Sequence, residues 1–527
     1  MDCRLKIGTY CFLLLVFFNS LQGAITWSSP ITISSSSVNA SDPQLVIDSQ
    51  ANTTAAWVEN GIIKSSSLLN GGSWSTPVSL STSANIASSP LLGIDSSGNV
   101  TAVWIENNTI NTALLPYGGS WSSENSISSS GTTSPALSVD ASGNAVAVWV
   151  RNNLIESSTR ISGTWNTVTT LSSAISNYPQ VAISANGCVI AVWQSIKSGI
   201  YSITSSTSTL GGAWNSPKNV FYINTTDLEY HTYPKVAIDN NGNAIVVWFG
   251  YNENEGTFQN VKVLSSSLGY QAVAWSLPSR LSKSGLRNPS DLFLKILFDS
   301  NGNAASLWTN SYDGQLFYIE LVVQNSGSGW GGSFMPYAPS LYSLDGDISV
   351  NSKGDALVIY MYWDGSLINI FSQETDIAAP VYSYWSNTNL VSAGSYNGYP
   401  KSAYASNGNT SNAAAVWTYF NGSNTVIQAA IGSETDILAP SNLNITQNST
   451  YFGIYTDYFN TLTWDASISP NIQRYNIFRN EIFFESTDSN TLQITDHNAV
   501  QNGSVTYGVA SMDIYFRQSS IATVSFP

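Results

Sequence analysis

The chain has 527 residues, 43% of them hydrophobic but only 10% charged, and a formal charge of −15. That length implies two or more domains or a repeat architecture. With 18 Lys and Arg and no basic cluster, nucleic acid and anionic membrane surfaces are excluded as partners.

At the N-terminus Arg4 and Lys6 precede an apolar run from Tyr10 to Phe18, and small residues follow at Gly23 and Ala24. This order predicts a secretory signal peptide over 1–23, although Leu21 or Gln22 departs from the small residue usual before a cleavage site. The run is short for a bilayer span, and no later stretch predicts a transmembrane segment. The mature chain is therefore expected to be secreted, at a cell surface or in a periplasm. Cys3 and Cys11 leave with the leader, so Cys188 is the one thiol that stays and no internal disulfide is expected.

From there a motif repeats. LGIDSSGNVTAVW ends at Trp104, LSVDASGNAVAVW at Trp149, VAISANGCVIAVW at Trp193, VAIDNNGNAIVVW at Trp248 and ILFDSNGNAASLW at Trp308. A looser copy ends at Trp57, and two degenerate copies end at Tyr360 and Trp417. A second signature, a Trp usually after a Gly-rich turn and leading a short strand, follows at Trp74, Trp121, Trp165, Trp214, Trp275, Trp330 and Trp385.

Each unit holds four short extended runs: PALSVD and NAVAVWV alternate with period two, ASG breaks them into a hairpin, and LIESSTR and WNTVTTLS follow. Four antiparallel strands per 44–60 residues are the signature of a β-propeller blade. The last copy lacks its Trp-led strand, and ITWSSPITISS at the mature N-terminus supplies one. Joining the two predicts an eight-bladed β-propeller over 24–438, or a seven-bladed one if a degenerate copy is an insertion.

The pattern stops after IGSETDILAP. Pro440 and Leu443, Trp464, Tyr475, and Tyr507 followed by Val509 and Ala510 occur in the order of a fibronectin type III domain, which residues 439–527 resemble. The resemblance implies a seven-strand sandwich serving as a spacer or adhesive module, without catalysis.

The D-x-x-G-N motif offers one carboxylate per copy and becomes Ser184 and Asn351 in two copies, whereas calcium needs roughly six or more oxygens. It is read as a turn, with Asp accepting backbone N–H bonds and Gly at positive φ, and no metal or cofactor is expected. The motif loosely resembles the Asp-box of sialidase-type propellers, with an Asp-to-Gly interval of three rather than two. The family's chemistry relies on three arginines, and Arg151, Arg160, Arg280 and Arg287 stand in none of its motifs.

Other chemistry is sparse. His231, ahead of TYPKVAID, reads as a surface loop residue rather than a triad member. Glu59, Glu106, Glu156 and Asp313 are loop acids from which a carboxylate pair, about 5–10 Å apart, could be assembled. Fifteen of 17 Trp fall at the two repeat positions and are assigned to inter-blade packing. Trp363, in MYWDG, is out of register and is the candidate ligand-binding platform. The function expected is non-enzymatic binding or adhesion to a glycan or extracellular protein through loops 222–233, 250–260, 309–316 and 362–366. A secreted polysaccharide-active hydrolase or lyase is the alternative.

Overall fold

Between Thr132 and Arg151 the predicted alternation becomes the hairpin of Thr132–Val139 and Ala145–Arg151, turning at Asp140–Asn144. Leu154–Ile161 adds a third strand, and Thr164–Trp165 and Thr169–Thr170 line its far edge. This comes from a computed structural model that describes residues 25–82, 86–221, 229–252, 261–282, 293–311, 317–333, 345–363, 365–377, 388–389, 397–407, 410–434, 437–469, 472–497, 503–513 and 518–526. The predicted signal peptide lies outside those residues.

Residues 25–433 form one compact unit. Among the described residues it contains eight antiparallel sheets in succession and no helix. Their first strands are Ala40–Ile47, Ala87–Ile94, Thr132–Val139, Ile175–Ile183, Glu229–Ile238, Leu294–Phe298, Gly346–Val350 and Asn397–Asn407. Each lies beside the next and the last returns to the first, so the sheets close into a ring. Ile25–Trp27 pairs with Thr425–Glu434 and completes the eighth sheet. That pairing covers an edge that would otherwise expose unpaired N–H and C=O groups.

The turn chemistry is local. Asp140 Oδ1 accepts the N–H of Ser142 (2.9 Å) and of Asn144 (2.8 Å), while Oδ2 accepts Asn144 Nδ2 (2.9 Å). Asp48, Asp95, Asp239 and Asp299 make the same three bonds. In the variant copies Ser184 Oγ accepts from Cys188 N (2.9 Å) and Asn351 Oδ1 from Lys353 N (2.9 Å). A neutral acceptor serves because the partners are backbone donors. Gly143 holds φ 80° there, a region that L side chains avoid.

The second strands are apolar on both sides: Ala145 to Trp149 are fully buried, as expected of strands covered on both faces. Alternate side chains enter the cores shared with the two neighbouring sheets. One such core joins Val146 and Val148 to Val189, Ala191 and Trp193 of the following sheet. The indoles of Trp57, Trp104, Trp149, Trp193, Trp248, Trp308 and Trp417 are all at 0% exposure.

Residues 434–527 belong to a second unit. Ser441–Tyr451, Thr456–Asp465 and Gln493–Asp496 make one sheet; Ile472–Arg479, Ile482–Asp488, Val505–Asp513 and Ala522–Phe526 make the other. Trp464, Tyr475, Tyr507 and Val509 share its core.

Candidate functional site

Six first strands begin with the same irregularity. Asp42, Ser89, Ser134, Tyr178, Tyr233 and Tyr399 each precede a proline and hold φ between 50° and 53°. At each the ladder slips, as between Thr232 and Lys235. Proline has no N–H to give the ladder, and a bulge re-aims the side chain beside it. These residues stand at one end of the ring, because first strands begin where second strands end: Ala40 pairs with Glu59, and Ala87 with Glu106.

Two residues further in, the ladders resume at equivalent places, each facing the residue before the buried aromatic of the second strand. Gln44, Leu91, Ala136, Gln180, Lys235, Lys295, Asp347 and Lys401 occupy this level. The ring is lopsided. Its first three sheets offer small or uncharged groups here, and its fifth to eighth offer three lysines and an aspartate.

These charges face one another. Lys295 Nζ meets Asp347 Oδ1 at 2.5 Å, and Ser402 N donates to Asp347 Oδ2 at 3.0 Å. Burial, with the charges of Lys401 and Lys295 adding to it, pushes the half-buried Lys235 ammonium down to about 8. Burial pushes the Asp345 carboxyl up, and Asp347 adds to this, while Lys401 and the Gly346 N–H oppose it. The result is a cluster of three lysines in a chain of net −15.

Aromatic rings gather at the same end of the ring. Tyr178 and Tyr233 lie 4.3 Å apart by ring centroids, Tyr201 and Tyr230 4.4 Å, and Tyr230 stacks on Tyr251 at 5.2 Å. Tyr399 is 62% exposed. Flat amphipathic rings at the same end as cations suit a ligand with an apolar face and an anionic group.

The residues singled out from sequence lie elsewhere or do other work. Trp363 ends the strand Asp355–Trp363 on the same side of the ring, half-buried. Loops 222–233, 250–260 and 309–316 fall largely outside the described residues, and so does Asp313, whereas 362–366 is described except at residue 364. Glu59, Glu106 and Glu156 are not loop acids but buried strand residues, 8%, 3% and 8% exposed. They accept the indole N–H of Trp57 (3.2 Å), Trp104 (3.1 Å) and Trp149 (3.0 Å). His231 is not on a surface loop: it lies within Glu229–Ile238 at 0% exposure and accepts the Trp248 indole N–H at 2.8 Å. In each case a buried indole N–H needs an acceptor. The lysine and tyrosine positions were missed, though YPQ at 178–180 and YPK at 233–235 and 399–401 repeat at the same distance ahead of the glycine turns.

No protein-family model matches the chain, and no curated protein matches it. Similar solved structures include an ulvan lyase of a new polysaccharide lyase family, 11% identical with TM-score 0.41, covering 76% of this chain and 97% of that one. An alpha-L-arabinanase from Penicillium chrysogenum is 11% identical with TM-score 0.38, covering 68% and 100%. A Hadza microbial sialidase is 11% identical with TM-score 0.34, covering 73% and 76%. The likeness is one of all-β fold. These proteins carry enzyme names, and the expectation of a non-enzymatic binding or adhesion protein is withdrawn.

Proposed function

We propose that the ring of eight sheets is an eight-bladed β-propeller, that residues 439–527 are a fibronectin type III module, and that the exported chain cleaves an anionic polysaccharide at the tyrosine-rimmed mouth. One observation carries the activity: Lys235 stands two residues in from Tyr233 and Lys401 two in from Tyr399, and burial with the charges of Lys401 and Lys295 lowers the Lys235 ammonium to about 8. An amine poised near working pH serves as a general base, and a neighbouring ammonium offsets a substrate carboxylate.

For a uronate these roles compose an elimination. Neutral Lys235 takes the proton from the carbon bearing the carboxylate, whose developing charge Lys401 stabilises. The electron pair forms the carbon–carbon double bond as the glycosidic C–O bond breaks. A rim tyrosine hydroxyl gives its proton to the departing oxygen. Trp363, on the same side of the ring, is a further stacking surface along the bound strand.

The mature chain, incubated with polygalacturonate, alginate and a glucuronate-bearing sulfated polysaccharide, is expected to release products absorbing in the ultraviolet as unsaturated uronates. Reducing ends without that absorbance would replace elimination by hydrolysis, with Asp345 and Asp347 as the acids to test. Neither signal from any of the three substrates would overturn the reading.

A further inference from the structure

A second class of site lies away from the mouth. Between consecutive sheets, the Trp-led turn of one sheet faces the third strand of the sheet before it, and three such junctions open into clefts. The cleft between the fourth and fifth sheets has a volume near 680 Å³ and is lined by Ser205, Ser206, Asn215, Tyr270 and Trp275. The one between the first and second sheets, near 660 Å³, is lined by Ser65, Ser66, Tyr117 and Trp121. The one between the third and fourth sheets, near 460 Å³, is lined by Ser157, Ser158, Asn166, Trp165 and Trp214. All three volumes fall within the roughly 300–1,000 Å³ of ligand sites.

The three share a chemistry. Each pairs two aromatic rings with a wall of hydroxyls and amides. Tyr117 and Tyr270 occupy equivalent places, 50% and 52% exposed, each with its backbone N–H held 2.9 Å from the turn asparagine, Asn99 or Asn243. Trp275 is half-exposed although its Nε1 donates to Ser205 Oγ of the preceding sheet at 2.9 Å. Packing between sheets thus accounts for only part of this ring's surface. Charge is nearly absent: the one carboxylate, Asp48, is taken up by its own turn at 2.8 Å, and Lys218 donates to Val273 O at 3.0 Å.

We propose that these clefts bind uncharged sugar units, with the apolar face of a pyranose on the aromatic pair and its hydroxyls against the serines and asparagines. The sites are separate from the lysine-bearing mouth. Repetition around one rigid ring gives avidity for a long chain even where each cleft binds weakly.

Affinity electrophoresis through gels containing galactomannan, xyloglucan or mixed-linkage β-glucan tests this on the mature protein. Retardation is expected with at least one of them, unchanged by Lys235→Met, which separates it from the fate of the mouth. Tyr270→Ala, at an exposed ring, and Trp275→Phe, which keeps most of the packing, should each weaken retardation severalfold, and adding Tyr117→Ala should weaken it further. Migration unaffected by all three polysaccharides, or retardation indifferent to these substitutions in variants with parental thermal midpoints, would overturn the proposal.

Discussion

Trp248 donates its indole N–H to His231 Nδ1 at 2.8 Å, and both side chains are wholly buried. The ring nitrogen accepts, so the imidazole carries its proton on Nε2. The acceptor that Glu59 or Glu106 supplies in other sheets, two residues after the Trp, is here replaced by a residue of the first strand. His231→Leu leaves a buried N–H without its partner and should destabilise the ring by about 1–3 kcal/mol. Urea unfolding followed by tryptophan fluorescence measures this, and an unchanged midpoint would show that the bond contributes nothing.

The turns predict two opposite outcomes. In the first copy Ala51 stands where the others have glycine, at φ 68°, so Ala51→Gly should stabilise by about 1 kcal/mol through relief of left-handed strain. Gly143 is the reverse case, because a Cβ there would fall 2.7 Å from Asp95 Oδ2 of the neighbouring turn. Gly143→Ala should therefore cost about 2 kcal/mol or more, combining that clash with a disfavoured φ. Thermal unfolding of the pair of variants against the parent checks both signs.

What could be read in the sequence is what repeats. The Asp–Gly–Asn turns and buried indoles follow from local chemistry copied from sheet to sheet, so counting copies located them. The mouth could not be counted in this way, because its residues differ at equivalent positions: Gln44, Leu91 and Ala136 on one side, Lys235, Lys295 and Lys401 on the other. Only ring closure makes Lys235 and Lys401, 166 positions apart in the sequence, electrostatic neighbours. The acids failed as candidates for the opposite reason. A glutamate after a strand-ending Trp reads as a loop carboxylate until the indole beside it is seen to need an acceptor.

In the second unit Asp496, 2% exposed, receives the Tyr507 hydroxyl at 2.5 Å and Arg479 Nη1 at 2.9 Å. Burial and the bond to Asp496 together push the Tyr507 hydroxyl up to about 12. Asp496→Ala strands both donors at the edge of the core and should destabilise this unit by about 2–3 kcal/mol. A tyrosine absorbance titration should also show one phenol moving back toward 10, its ordinary value. A parental titration curve in the variant would remove Asp496 as the cause.

Lys235 separates function from packing most sharply. In the unfolded chain its amine titrates at the ordinary 10.5, and in the folded ring at about 8. Between those values the unfolded chain holds a proton that the folded one has released, so stability rises with pH across that window. Below about 8 both states are protonated and the penalty of the half-buried charge is constant. Lys235→Met removes that penalty. The variant should be more stable than the parent at neutral pH, with the gap closing as the pH is raised from about 8 to 10.5. Its activity should move the other way: cleavage by the parent rises as the amine loses its proton near pH 8, and the variant loses both the rate and the rise. Unfolding curves and initial rates measured over the same pH series distinguish the cases. A variant that is inactive yet more stable marks a residue kept for chemistry at the expense of the fold, whereas one that loses stability and activity together makes Lys235 a packing residue.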